Sequence, residues 1–281
     1  MFSKKKVNYI FASFGDEKII KSDKKSFFLK RFMKKEEKND SPIQNKNVFE
    51  LFGLLISQIQ KFTDKKNYSF YLNMENTHDQ FINDIQNSDA EQFYIFPLFP
   101  QTHPDINSIA NFFSLNLYDE ITNNFFWVKS FHNNQFFIKA IQKNIYPLIK
   151  KETLNEKETL FLFLANDYPN SPLYNFECEI TCQNIIKAFQ YIDGKICFFN
   201  DNNQNCLNNI NRKNVILIPI STLIDDVDTQ KNTEVIKKEL EKQKKAVFIC
   251  KTLNHNTYFI RSIVDIIEEK SFVSNKMLSS C

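Results

Sequence analysis

Short runs of consecutive apolar residues alternate along the chain with longer segments in which apolar residues recur every three or four positions. The short runs predict β-strands, and the periodic segments predict amphipathic helices. The predicted strands are Val7–Ser13, Tyr68–Leu72, Phe93–Phe99, Phe125–Phe131, Leu160–Ala165, Lys195–Phe199, Val215–Ile220 and Ala246–Cys250. The predicted helices are Phe27–Met33, Val48–Phe62, Asn134–Ile149, Glu177–Tyr191, Thr233–Lys244 and Tyr258–Glu269. Strands that alternate with helices are typical of parallel sheets covered by crossover helices.

A charged segment divides this pattern into two halves. Residues Lys150–Lys157 are rich in charge and poor in apolar side chains, and four of the predicted strands lie on each side of them. We therefore predict an α/β protein with two Rossmann-like domains, each with a mainly parallel four-stranded sheet flanked by helices. The predicted boundaries are 1–150 for the first domain, 151–270 for the second and 271–281 for a tail.

Polar residues gather where four of the predicted strands end. They stand in Ser13–Asp16, in Pro97–His103, in Ala165–Pro169 and in Pro219–Thr229. Ligands of open α/β sheets bind beyond the carboxyl ends of the strands. We therefore expect these four segments to border one cleft.

Charge and hydropathy narrow the function classes. The net charge is +3, from 36 Lys and Arg against 33 Asp and Glu spread along the chain, so we expect no nucleic-acid partner. No apolar stretch approaches the ~20 residues that span a bilayer, and no basic and then apolar leader opens the chain. These features predict a cytoplasmic protein.

The six cysteines show no C-x-x-C pairing and are expected to be reduced. Cys178 and Cys182 could share one face of a helix, so a metal site at this pair stays an open alternative to simple packing.

The motifs at the strand ends resemble those of the ferrochelatase family, in the same order along the chain. Pro97–Gln101 is similar to the family's Pro-Leu-Tyr-Pro-Gln, and Phe163–Asn166 with Pro169 is similar to its Phe-Ser-Ala-His-x-x-Pro. Pro219–Thr229 resembles Pro-Ile-Gly-Phe followed by Ser-Asp-His-Ile-Glu-Thr. Weaker matches are the opening strand and helix in Val7–Lys35, Ser41–Ile43 for Ser-Pro-Leu, and Leu253–Asn254 with Phe259–Ile260. The resemblance implies two chelatase domains.

The resemblance also implies roles for individual residues. Asn166 stands at the position of the family's catalytic His, and Asp228 stands at that of its catalytic Glu. These two are the expected metal-binding pair, and with His103 they form the expected catalytic set. Residues expected to bind the macrocycle are Ser13, Phe14, Phe99, Thr102 and Leu223. An amide has no titrating nitrogen, so His103 is the candidate that replaces the missing base or ligand.

Each of these residues also has a plainer interpretation, which the sequence leaves open. Asn is also a common turn former after a strand, which is the plainer interpretation of Asn166. Asp225, Asp226 and Asp228 are suited either to a hard cation or to capping the helix that begins near Thr229. A lone His such as His103 is more often structural than catalytic, and most Phe residues belong to the core.

The expected function follows from the resemblance. It implies a lyase that inserts ferrous iron, as a substrate, into a porphyrin in haem biosynthesis, with peripheral contact to a membrane that carries the porphyrin and with no permanently bound cofactor. One alternative is a chelatase-fold protein that binds a tetrapyrrole or a metal without turnover, and another is a chelatase-fold protein with a purely structural role.

Overall fold

The computed structural model describes residues 5–15, 48–190, 192–199, 204–254, 256–269 and 272–275, but not the side chains of residues 204, 205, 227 and 228. The predicted helix Phe27–Met33 and the Ser41–Ile43 motif lie outside these residues, as does most of the predicted tail. Within the described ranges, no helix is long and apolar enough to cross a membrane.

Strands and helices alternate through the first half of the chain. The strands are β1 (Val7–Ser13), β2 (Asn67–Tyr71), β3 (Gln92–Pro97) and β4 (Phe125–Val128). The helices are α1 (Val48–Gln60), α2 (His78–Gln86), α3 (Ile106–Asn116), α4 (Asp119–Thr122) and α5 (Gln135–Lys151). β1 pairs in parallel with β2 and β3, and β3 pairs in parallel with β4. The prediction of a mainly parallel, helix-covered sheet is therefore confirmed for the first half of the chain.

The second half repeats this alternation. Its strands are β5 (Thr159–Asn166), β6 (Asp193–Phe199), β7 (Asn214–Pro219) and β8 (Ala246–Ile249), which form a wholly parallel sheet in the order β6-β5-β7-β8. Its helices are α6 (Pro172–Ile186), α7 (Gln204–Leu207), α8 (Val227–Lys242) and α9 (Thr257–Glu269). β5 is buried along nearly its whole length, as its continuous apolar run predicts.

The first sheet has one strand more than predicted. After α9 the chain forms β9 (Phe272–Ser274), which pairs antiparallel with β4 and extends the sheet to the order β2-β1-β3-β4-β9. Phe272 stacks on Tyr94 with ring centroids 4.0 Å apart, and Trp127 Nε1 donates to Asn275 Oδ1 at 2.9 Å. Residues assigned to a tail by the sequence thus complete the first sheet. They escaped prediction because a three-residue strand carries no detectable alternation.

One apolar core connects the two sheets. It runs from Phe11 and Phe52 in the first half, through Phe137 of α5, to Phe161 and Phe259 in the second half. α9 packs against both α5 and α1, so the last helix of the second half covers helices of the first. The outer face of each sheet has a separate, smaller core. The predicted boundary near residue 150 falls between the end of α5 and β5, and the division into domains stays a prediction.

The cysteines differ from the expectation of six reduced thiols. Cys197 on β6 and Cys206 on α7 form a disulfide, because the short helix folds back on the strand and leaves their Cα atoms 5.2 Å apart. Cys178, Cys182 and Cys250 are free and buried, and burial raises the pKa of each thiol. These thiols therefore stay protonated near neutral pH. Cys281 lies outside the described residues.

Candidate active site at the carboxyl ends of the strands

Four central strands bring most of the predicted site residues to their carboxyl ends. Ser13 ends β1, and Phe14 follows it. The segment with Phe99 and His103 follows β3, and Asn166 ends β5. β1 neighbours β3 in one sheet and β5 neighbours β7 in the other, so each sheet contributes two adjacent strand ends.

Gly15 follows directly after the first aromatic residue of the candidate site, Phe14. Gly15 has a φ of +78°, a conformation that costs an L-residue free energy. A Cβ atom at this position would lie 2.6 Å from Met74 Cγ, so this position also favours a residue without a side chain.

Three rings form the apolar wall of the candidate site. The ring centroids of Phe14 and Phe99 are 4.6 Å apart, and those of Phe14 and His103 are 4.9 Å apart. Phe99 stacks on the His103 imidazole at 4.4 Å. Phe99 and His103 are buried, whereas Phe14 is half-buried. Among the described residues, Phe14 is therefore the most exposed ring of this wall.

His103 is held as a neutral imidazole by burial and by two hydrogen bonds. The backbone N–H of Asp105 donates to Nδ1 at 3.2 Å, and Nε2 lies 2.7 Å from Tyr168 Oη. Because Nδ1 accepts a hydrogen bond, Nε2 carries the proton and donates to Tyr168. Burial lowers the pKa of His103 to about 3, so the ring stays uncharged at neutral pH.

Tyr168 connects His103 to Asn166. Its hydroxyl accepts from Nε2 of the imidazole and lies 3.5 Å from Asn166 Nδ2, which donates to it. Burial raises the pKa of Tyr168 to about 12; the Asn166 hydrogen bond lowers it, and the carboxylates of Asp105 and Asp226 raise it further. The phenol thus keeps its own hydrogen, which it can donate to a ligand. Tyr168 and Asn166 are half-buried, on the accessible side of the cluster.

The carboxylates after β7 have local structural partners. Asp225 accepts hydrogen bonds from Thr252 Oγ1 at 2.6 Å and from Asn254 Nδ2 at 2.9 Å. Asp226 caps α8, because its Oδ1 accepts the backbone N–H of Thr229 at 2.7 Å. The observed contact of Asp226 therefore agrees with the capping interpretation. Asp225 instead joins the loop after β7 to the loop after β8.

The proposed metal pair is only partly described. Asp228 lies in the first turn of α8, but its side chain is outside the described residues, so its approach to Asn166 stays a prediction. Among the side chains that are described, no group of three or more His, Cys, Asp or Glu residues is placed to hold a metal ion. Leu223, expected to bind the macrocycle, is buried in the shared core.

A second polar cluster surrounds Glu177, next to Thr102, and was not predicted from the sequence. Glu177 on α6 accepts from the backbone N–H and the hydroxyl of Thr102 and from the hydroxyl of Ser130. His132 Nδ1 lies 3.4 Å from the same carboxylate. Burial lowers the pKa of His132, although the Glu177 charge raises it. Thr102, expected to bind the macrocycle, therefore directs its hydrogen bonds to a protein carboxylate. One sequence feature could have identified Glu177: it is a charged residue on the buried face of a helix, between Tyr174 and Thr181.

Comparisons with known proteins identify the family of this chain and proteins with a similar fold. The Ferrochelatase family model matches residues 14–271. A ferrochelatase of Helicobacter hepaticus is 22% identical over 222 residues, which is 68% of this chain and 68% of that protein. Among solved structures, SirB from Bacillus subtilis with Fe3+ superposes with a TM-score of 0.64 at 11% identity, covering 95% of this chain and 96% of that chain. The sirohydrochlorin chelatase SirB from Bacillus subtilis subspecies spizizenii in complex with cobalt gives a TM-score of 0.61 at 10% identity, over 95% of both chains.

Proposed function

We propose, from the premise that this chain belongs to the ferrochelatase family, that it is a metal chelatase that acts on a tetrapyrrole. The observation that carries the proposal is the cluster at the strand ends. An aromatic wall of Phe14, Phe99 and His103 stands beside the neutral hydrogen-bonded chain from His103 through Tyr168 to Asn166. A flat apolar macrocycle and uncharged polar groups at its centre are complementary to these two features.

Metal insertion makes three chemical demands on such a site. The ion must lose water, the macrocycle must bend, and two pyrrole protons must leave. Phe14 provides a reachable ring face for the macrocycle. The Tyr168 hydroxyl and the Asn166 amide provide hydrogen-bonding groups that can exchange partners with water or with a pyrrole nitrogen. A neutral imidazole such as that of His103 suits a borderline divalent ion, once the hydrogen bond to Asp105 or Tyr168 is exchanged for the metal.

The finer proposal names the reactants. We propose ferrous iron and a porphyrin, with haem as the product and with Asp228 as the carboxylate that joins Asn166 at the metal. The support is the match to ferrochelatase sequences, together with the strand-end motifs. We further propose the cytoplasm as the compartment, with peripheral contact to a membrane from which the porphyrin enters.

A specific observation favours a second candidate function, binding without turnover. Asn166 has no titrating nitrogen, and the pKa of His103 at about 3 makes it a poor proton acceptor in the unliganded protein. A site with these groups can still bind a tetrapyrrole. The second candidate is therefore a tetrapyrrole- or metal-binding protein that retains the chelatase fold.

Titration with protoporphyrin tests the binding step common to both candidates. We expect a saturable absorbance change at micromolar protein, which corresponds to about −8 kcal/mol. Sirohydrochlorin is titrated in parallel, because it is the substrate named for one of the proteins with a similar fold. Absence of saturable binding for both compounds would contradict every tetrapyrrole function proposed here.

Iron insertion by site variants separates the two candidates. If His103 acts in the reaction, His103→Ala should lower the insertion rate by about 10²–10⁴-fold, the usual contribution of a positioned base, while Asn166→Ala has a smaller effect. If the protein only binds, the insertion rate is near zero and Asn166→His should raise it. Asn170→Ala, an exposed amide in the same segment, is the matched control. An insertion rate that none of the three site variants changes would exclude this cluster as the chemical site.

A further inference from the structure

Glu177 is a buried carboxylate that reaches from the second half of the chain to two loops of the first half. Its side chain is 7% exposed, and it belongs to α6. Oε2 accepts the backbone N–H of Thr102 at 2.5 Å, and Oε1 accepts Thr102 Oγ1 at 3.1 Å and Ser130 Oγ at 2.7 Å. Hydrogen bonds to an ionised acceptor are short and strong, so this carboxylate fixes the groups that donate to it.

The residue held most tightly by Glu177 is the neighbour of His103 in the chain. Two of the three donors belong to Thr102, whose peptide group is joined directly to the next residue. Gln101, one position earlier, also reaches the second half, where its Nε2 donates to Thr181 Oγ1 and to the carbonyl of Ile220, both at 3.3 Å. The segment that ends at His103 is therefore fastened to α6 and to the loop after β7.

The position of this segment also determines a contact between the two halves of the chain at the candidate site. Nε2 of His103 lies 2.7 Å from Tyr168 Oη, and these residues follow β3 and β5, which belong to different sheets. Glu177 lies on α6, the helix that follows Tyr168 in the chain. Glu177 therefore restrains the segment that carries His103, and it does so from the helix that follows Tyr168 in the chain.

We propose that Glu177 is a positioning residue, which acts through Thr102 to set the place of the His103 imidazole against Tyr168 and Asn166. It is not a catalytic residue, because its oxygens bond the Thr102 backbone and hydroxyl and the Ser130 hydroxyl rather than the His103 ring. The inference deepens the proposed function and rests on it for its catalytic consequence. Its structural part, the placement of the imidazole, is measurable without any substrate.

The kinetic test compares Glu177→Ala and Glu177→Gln with Glu179→Ala, a matched control that removes an exposed carboxylate from the same helix. Loss of a partner that orients a site residue usually costs about 10–100-fold in activity or metal affinity. We expect Glu177→Ala to lower kcat for metal insertion by about this factor, with KM for the tetrapyrrole nearly unchanged. Glu177→Gln keeps one oxygen for the Thr102 N–H and should recover part of kcat. Equal kcat in Glu177→Ala and Glu179→Ala would overturn the proposal.

A spectroscopic test keeps the inference separate from the proposed function. ¹⁵N NMR of the histidine rings reports the tautomer, and in the native protein His103 should be the Nε2–H form, hydrogen-bonded to Tyr168. We expect Glu177→Ala to shift the His103 signals toward a mixture of tautomers, while Glu177→Gln retains the native signals more closely and Glu179→Ala does not change them.

The outcomes of the two tests are distinguishable. If the native protein neither binds nor metallates a tetrapyrrole, the proposed function fails, yet the His103 signals still decide the role of Glu177. If Glu177→Ala does not fold, as judged by circular dichroism, the comparison passes to Glu177→Leu, which has a similar volume and no hydrogen-bond acceptor. A folded Glu177→Leu protein with the kcat and the His103 signals of Glu179→Ala would then overturn the inference.

Discussion

At the scale of single residues, the candidate site depends on one hydroxyl. Tyr168 Oη receives hydrogen bonds from both His103 and Asn166, and the imidazole N–H is buried. Tyr168→Phe would leave that N–H without its acceptor, which costs about 1–3 kcal/mol. We expect the free energy of unfolding in urea to fall by this amount. Tyr118→Phe, which removes an exposed hydroxyl, is the control and should leave the unfolding free energy within about 0.5 kcal/mol of native.

Burial of His103 also makes stability depend on pH. Its pKa of about 3 in the folded protein lies below the value of about 6.5 in the unfolded chain, so the unfolded state binds the proton first as the pH falls. The associated stability is complete above about pH 6.5 and is lost progressively down to about pH 3. We expect the unfolding free energy of the native protein to decrease over this window more steeply than that of His103→Asn. Parallel slopes for the two proteins, measured in urea at several pH values, would contradict a buried neutral His103.

At the scale of elements, two glycines give a matched pair of substitutions. Gly15 is in the left-handed region and has no room for a Cβ, so Gly15→Ala should lower the unfolding free energy by about 1–2 kcal/mol. Gly53 lies exposed in α1 with nothing within 4 Å of a Cβ, and alanine favours a helix interior. Gly53→Ala should therefore raise the unfolding free energy by about 0.5–1 kcal/mol. Thermal unfolding of both variants measures the contrast, and equal shifts would show that the backbone at Gly15 is not constrained as described.

The elements also show how far sequence reasoning reaches. Buried parallel strands such as β5 are continuous apolar runs, so they can be predicted from the sequence. The rule that ligands bind at strand ends selected Phe14, Phe99 and His103, whose rings are in contact, and their role in binding stays a prediction. Tyr168 and Glu177 were not identified, because whether a polar side chain is buried depends on partners far away in the sequence. α6 begins at Pro172, five residues before the predicted start, since proline is suited to the first helical turn.

At the scale of the whole molecule, the path of the chain has a consequence for its synthesis. α9 and β9 are the last elements of the described chain, yet they cover α1, α5 and the edge of β4 in the first half. On the ribosome, the first sheet therefore emerges with the edge of β4 unpaired and with the apolar faces of two helices uncovered. An uncovered strand edge is a template for pairing with other chains. The first half of the nascent chain therefore stays prone to aggregation, and accessible to chaperones, until the residues up to Asn275 have been translated.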